Sequence, residues 1–362
     1  MLKTPFYDPH KSYEENYDFG PYGAFADGVD LRTDETPEYD FLGFKINTPF
    51  GIPSGPLLNS KFCEAAFKKG FNVIHYKTRR SSEFPCNQFP NVLFVETDGD
   101  LTLEKAKKPL KANRIVPDEL SKISITNSFG NPSPDAGVWM DDMKKAIEAA
   151  GSGQLLIASV VGTIKEGFNS EDYYDDFALA AKYAKDTGVK VIEINLSCPN
   201  VASEGVLCYS PDADEAIVKK VRAAIGKDVK ILIKLGYFSK EQQMLLEDII
   251  KRVDSYIDGI SAINTIPAPV VDKNGEQALP GPGRLNAGIC GAGIKWAGLD
   301  MVKRLNELRK SKGYDFGIIG VGGVMTPRDF MEYRNAGADV VQSATGAMWN
   351  PELAQEIKAM VK

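Results

Sequence analysis

A single thiol flanked by carboxamides marks the segment INLSCPN at 194–200, where Asn195, Cys198 and Asn200 lie at the point at which an apolar run opens into a loop. An amide side chain offers both a donor and an acceptor, so this set suits a neutral imide or ureide ring as well as a carboxylate. A thiol in that place can act as a nucleophile or as a proton acceptor. Cysteine hydrolases need a histidine partner, and the chain has only His10 and His75, neither obviously placed to serve. Proton transfer is therefore the chemistry favoured for Cys198, with a purely structural thiol as the alternative.

Two further groups of residues sit where chemistry is expected. Lys77 and Lys234 each close a buried apolar run, VIHYK and ILIK, which core packing does not call for, so each ammonium is expected in the mouth of a barrel, facing an anion. Asn264 and Thr265 end another such run. IIGVGGVMT at 318–326 and VVQSATGAM at 340–348 end in small residues, leaving the backbone N–H groups of Gly322, Gly323, Ala344 and Thr345 to cradle a phosphate. Simple tight turns are the alternative for these.

The elements that must position these residues follow from periodicity. Runs at 49–55, 72–78, 154–162, 190–197, 229–236, 258–264, 316–323 and 338–346 are nearly continuous in apolar residues, as buried parallel strands are. Amphipathic segments at 135–150, 212–225, 239–253, 297–311 and 327–336 alternate with them, with Asp212 a candidate cap and Gly151 and Gly226 stop signals. Eight strand–helix alternations predict an α/β fold, a (β/α)8 TIM barrel. A doubly wound sheet is disfavoured because no G-x-G-x-x-G follows the first strand. One run, KISIT at 122–126, is surplus; it lies in a long insertion after strand 2, where substrate residues are expected.

The chain has 362 residues, 43% hydrophobic and 25% charged, enough for a sizeable core in one barrel. Its net charge of −6 argues against nucleic acid and against a polybasic membrane anchor. Residues 1–40 carry ten acidic and three basic side chains, a net −7, which leaves the remainder at +1. They are also rich in Tyr and Phe, unlike a disordered tail, so an acidic, aromatic N-terminal extension over 1–40 is expected to pack on the barrel of 41–362 or on a partner subunit. No apolar run approaches the ~18 residues of a membrane span and no secretory signal opens the chain, so a cytoplasmic location is the default. Cys63, Cys86, Cys198, Cys208 and Cys290 form no paired spacing, so neither disulfides nor a metal site is expected.

Read in order over residues 44–350, the motifs PSG, YKT, SITNSFGNP, INLSCPN, IKL, INT, GICG, VGGV and QSATG make the sequence resemble the dihydroorotate dehydrogenases, FMN enzymes of pyrimidine synthesis. NLSCPN is the specific signal; VGG and SATG alone suit many phosphate-binding barrels. The resemblance implies that Cys198 is the base, and a cysteine there corresponds to the soluble class 1 enzymes rather than the serine-bearing, quinone-using class 2. It further implies that Ser54, Gly55, Lys77, Thr78, Asn195, Lys234, Ile263, Gly291, Gly322, Gly323, Ala344 and Thr345 hold FMN. Lys77, Asn127, Phe129, Gly130, Asn131, Asn195, Asn200, Asn264 and Thr265 would hold dihydroorotate, with KISIT delivering Asn127. A homodimer using fumarate as acceptor is implied in the same way, NAD through a partner subunit or quinone being the other acceptors.

The sequence departs from the family pattern in places. Soluble members usually read SMGLPN where this chain reads SFGNPS at 128–133, so Ser133 replaces a substrate-contacting amide, with Asn131 as its possible substitute. AGICG at 287–291 replaces a GGLxG, and VASEGVL follows Asn200. These changes leave two other readings open: a related FMN oxidoreductase acting on another dihydropyrimidine, and a non-catalytic phosphate- or flavin-binding barrel.

Overall fold

Each apolar run becomes a short parallel strand. In the computed structural model, which describes residues 2–33, 36–197 and 209–361, these are β1 (Phe50–Ile52), β2 (Val73–Arg79), β3 (Leu155–Val160), β4 (Val191–Asn195), β5 (Lys230–Leu235), β6 (Gly259–Ala262), β7 (Gly317–Val321) and β8 (Val340–Gln342). They hydrogen-bond in sequence order and β8 closes on β1, giving the eight-stranded parallel barrel expected from the alternation. Cys198, Asn200 and Cys208 lie outside the described residues.

Alternation of side chains along a strand explains how one barrel is both a core and a site. Ile74, Ile192 and Ile231 face outward into the cluster shared with the helices, whereas Val73, Val191, Leu232, Ile319 and Val340 form a separate apolar cluster inside. Phe41 and Ile46 join that inner cluster from a hairpin, Tyr39–Phe41 paired with Phe44–Ile46. Two positions further along the same strands the inward residues turn polar: His75 after Val73, Glu193 after Val191, Lys234 after Leu232 and Gln342 after Val340, all buried. The interior is thus apolar at the N-terminal end of the strands and ionic towards the C-terminal end, where barrel sites lie.

The helices fall close to their expected places, at Ala136–Glu148, Pro211–Ile225, Gln243–Val253, Lys295–Lys312 and Pro327–Ala336. Asp212 is not the cap. Ser210 holds that position and Pro211 takes the first helical turn, where its missing N–H costs nothing, leaving Asp212 to pair with Arg252 at 2.7 Å.

The surplus strand has more company than the sequence suggested. Ser124–Asn127 pairs antiparallel with Asn286–Gly291 and Phe94–Val95, and with Leu110–Asn113 and Ile266–Val271 these close a second, five-stranded barrel. Its strands come from two insertions, after β2 and after β6, so neither insertion alone shows the sheet.

The aromatic residues of the N-terminal segment pack on the body. Phe6, Tyr7, Tyr13 and Phe25 belong to the main buried cluster; Phe6 stacks on Phe25 at 4.3 Å, and its N–H donates to Met348 O at 3.1 Å. Among the described residues no helix is long and apolar enough to cross a membrane.

Candidate functional site

The C-terminal ends of the barrel strands and the small five-stranded barrel line a cleft that, with its solvent-open mouth, holds about 810 Å³ of empty space. One wall is built from turns. After β7, Gly322 and Gly323 adopt φ of +130° and +65°, and a Cβ on Gly323 would stand 2.7 Å from the backbone N of Lys295, so only glycine lets this turn approach the start of the helix Lys295–Lys312. The turn is fixed from behind: Tyr333 Oη donates to Gly322 O at 2.6 Å, and the Asp329 carboxylate accepts from Met325 N and Thr326 N, both at 2.9 Å. After β8, Ser343 Oγ donates to Val324 O at 2.6 Å and accepts from Ala347 N, tying the second turn to the first.

The opposite wall carries the polar groups that face a ligand. Asn127 arrives on the small barrel, Asn264 and Thr265 follow β6, and Lys234 rises from β5. Among the described residues, Thr265 Oγ1 is buried without a hydrogen-bond partner, and Thr345 Oγ1 has only the Cys290 thiol beside it. Such groups are costly unless something binds them, so the cleft is built for a polar guest. A glycine-lined turn pair, a buried ammonium and orphan hydroxyls together suit a phosphate-bearing cofactor with a planar polar ring.

Beneath the cleft lies an ionic layer that the sequence reading passed over. Ser54 Oγ donates to Glu193 Oε1 at 3.2 Å, and His75 Nε2 lies 3.1 Å from Glu193 Oε2, off the direction of a hydrogen bond. Burial acts to raise the Glu193 carboxyl, but His75 and the Lys234 ammonium outweigh it and hold it well below the usual carboxylate range. Burial pushes Lys234 down from the ordinary lysine value, with Glu193 opposing.

The family profile described as Dihydroorotate dehydrogenase matches residues 107–362. A dihydroorotate dehydrogenase of Dictyostelium discoideum is 35% identical over 364 residues, covering 98% of this chain and 97% of that protein. The chain belongs to the dihydroorotate dehydrogenase family. The catalytic subunit of a dihydroorotate dehydrogenase B (NAD(+)) from Petrotoga mobilis is 30% identical over 235 residues, 64% of this chain and 70% of that one. The crystal structure of DHODH from Eimeria tenella in complex with ferulenol shares the fold, with a TM-score of 0.67 at 18% identity over 92% of this chain and 85% of that one.

Against the family motifs, the structure brings Ser54, Gly55, Asn127, Phe129, Lys234, Ile263, Asn264, Thr265, Gly291, Gly322, Gly323, Ala344 and Thr345 into the wall of one cleft. Lys77 stands just behind it, its Nζ donating to Gly55 O at 3.0 Å and lying 4.7 Å from the centre of the Phe129 ring. Thr78 pairs with Ser159 at 3.0 Å, and Asn195 Oδ1 accepts from Asn264 Nδ2 at 3.4 Å. Gly130 and Asn131 lie outside the cleft wall, their carbonyls held by Arg80 at 3.2 and 2.9 Å. Ser133 is buried, accepting from Arg80 N and donating to Pro134 O, so it faces the protein and not the cleft.

Several wall residues were not read from the sequence. Met325, Met348 and Cys290 lie within or beside the motifs that carry the family likeness and could have been included. Tyr7 could not: it reaches the cleft from the N-terminal segment and packs edge-on to Phe129 at 5.7 Å, a contact visible only once the chain is folded.

Proposed function

We propose that this protein is a class 1 dihydroorotate dehydrogenase that oxidises dihydroorotate to orotate for pyrimidine synthesis, with FMN as its cofactor. The observation that carries the reading is the pairing, in one cleft, of the glycine turns after β7 and β8 with Lys234, Asn127, Asn264 and Thr265. The turn N–H groups and Thr345 would hold the FMN phosphate, and Lys234 would face the polar edge of its ring. When bound, FMN supplies the hydride-accepting centre for C6 of the substrate.

The chain's own residues do the rest. Asn127, Asn264 and Thr265 orient the pyrimidine by its amide edges and carboxylate, with Asn195 and Lys77 next to them. Cys198, as thiolate, takes the proton from C5 while the hydride leaves C6, so the substrate loses two hydrogens and gains one double bond. Fumarate is the acceptor expected for a self-sufficient homodimer; the relatives named dihydroorotate dehydrogenase B (NAD(+)) make NAD, through a second protein, the competing acceptor.

Purified protein is expected to be yellow and to bleach when dihydroorotate is added without oxygen. A yellow protein that does not bleach removes the substrate assignment, and a colourless protein that binds no added FMN removes the cofactor. A second reading, another dihydropyrimidine as substrate, draws on Asn131 and Ser133 standing outside the cleft, and bleaching by dihydrouracil but not dihydroorotate would select it. Steady-state assays with fumarate, NAD and quinone side by side decide the acceptor.

A further inference from the structure

The proposed reaction makes no use of the buried layer under the cleft, formed by Gln342 on β8, His75 on β2 and Glu193 on β4, each with no exposed surface. Its geometry determines where a proton lies. Gln342 Nε2 is 2.8 Å from Val73 O and 2.9 Å from His75 Nδ1. Turning the amide over would set its oxygen against the Val73 carbonyl oxygen, two acceptors face to face, so the NH2 group serves both partners. His75 Nδ1 therefore accepts, and the ring proton is assigned to Nε2, which faces Glu193 Oε2 3.1 Å away as an electrostatic contact and not an aligned hydrogen bond. The other carboxylate oxygen accepts from Ser54, a residue of the cleft wall.

Among the described residues, the lysine that acts on this carboxylate is Lys234. Across the β4–β5 pairing Leu232 lies opposite Glu193 and Lys234 opposite Asn195, which puts Lys234 one inward step above Glu193 and into the cleft wall. A buried ammonium without a counter-charge is expensive. We propose that Gln342 and His75 are positioning residues that orient the Glu193 carboxylate, and that Glu193 in turn keeps Lys234 an ammonium directed at the cofactor ring. The proposal rests on the FMN reading above and goes beyond it by assigning the setting of the flavin's reduction potential to residues that never touch it. A cation at the ring favours the negative charge of the reduced form, so weakening Glu193 makes reduction harder.

Two measurements test this. Selective ¹⁵N-histidine labelling of the full chain gives only two imidazoles, His10 and His75, and a His10→Gln variant assigns them. The expected spectrum shows His75 with Nδ1 bare and the proton on Nε2; a proton on Nδ1 overturns the geometry, and this arm requires no flavin. In the holoenzyme, Glu193→Gln is expected to lower the midpoint potential of the bound flavin by a tenfold change in the equilibrium, about 30 mV for a two-electron couple. Glu193→Asp should recover part of that shift. Gln342→Met, which leaves the carboxylate in place but unsteadied, should move the potential in the same direction by less, and it serves if Glu193→Gln does not fold. An unchanged or raised potential overturns the proposal, whereas wild-type protein that binds no FMN overturns the cofactor reading instead.

Discussion

Arg80, one residue past β2, is where the structure makes its sharpest mechanical claim. Its buried guanidinium donates through Nε to Asn131 O at 2.9 Å, through Nη1 to Gly162 O at 2.7 Å and Thr163 Oγ1 at 3.0 Å, and through Nη2 to Gly130 O at 3.2 Å. Gly130 and Asn131 both have positive φ, +81° and +52°, a turn that gains from being held. In Arg80→Lys a single ammonium replaces a fork that serves carbonyls on different segments, so at least two bonds to a charged donor are lost. At about 1.5–3 kcal/mol each, the loss is about 3–6 kcal/mol, against a total stability on the order of 5–15 kcal/mol.

Urea unfolding measures that loss as a lower midpoint at unchanged slope. The turn continues the segment that carries Asn127 and Phe129 into the cleft, so the KM for dihydroorotate is expected to rise while the FMN content stays at wild-type level. A loss below about 1 kcal/mol, the scale of an ordinary surface change, would refute the claim that the guanidinium holds this turn. Equal loss of flavin and substrate binding would show that the variant disturbs the whole mouth rather than one loop.

Other outcomes follow from single groups. Cys198→Ala should retain FMN but reduce it with dihydroorotate ~10²-fold or more slowly in stopped flow, the scale of a lost general base, and an unchanged rate would remove that role. Lys234→Ala should weaken FMN binding in a fluorescence titration; stoichiometric FMN retained through dialysis would contradict the assignment. Asp214, buried in the first turn of Pro211–Ile225 with neither carboxylate oxygen hydrogen-bonded among the described residues, is pushed up to about 8 by burial alone. Between its unfolded value of about 4 and about 8 the folded chain holds a proton that the unfolded chain has lost, so this group makes stability fall as pH rises. Asp214→Asn should therefore raise the urea midpoint at pH 8 and change it little at pH 5; the same gain at both would show that charge is not the cause.

How much of this was legible in the sequence depends on the range of the contacts involved. The eight barrel strands were, because a strand buried on both faces must be apolar throughout, and PFGI, VIHYK and KILIKL satisfy that locally. Lys234 and the glycines of VGG were legible for the opposite reason, as residues that a core has no use for. The five-stranded barrel was not: KISIT reads as a strand, but Ser124–Asn127 finds its partner Asn286–Gly291 more than 150 residues away, a pairing that nothing local signals. His75 and Glu193 were hidden by position: each sits inside an apolar run, at an inward site that nothing local marks as different from its outward neighbours.

The same contrast accounts for the net charge of −6. Tyr7, Tyr13 and Phe25 turn inward from the N-terminal segment, while its described acids are exposed or half-buried and Asp27 pairs with Lys69 of the body at 2.6 Å. The excess negative charge therefore lies largely on a solvent-facing layer, screened over about 10 Å by ordinary salt, though Asp8 and Glu14 are close enough to act on Tyr7 of the cleft wall. Inside the barrel, by contrast, the Glu193 carboxylate and the Lys234 ammonium are both buried, with Lys77 buried behind the cleft wall. Burial strengthens what each feels of the other. The ten acids of the N-terminal segment thus account for the net negative charge, whereas beside the cleft it is the buried Glu193 on β4 that opposes the loss of the Lys234 proton.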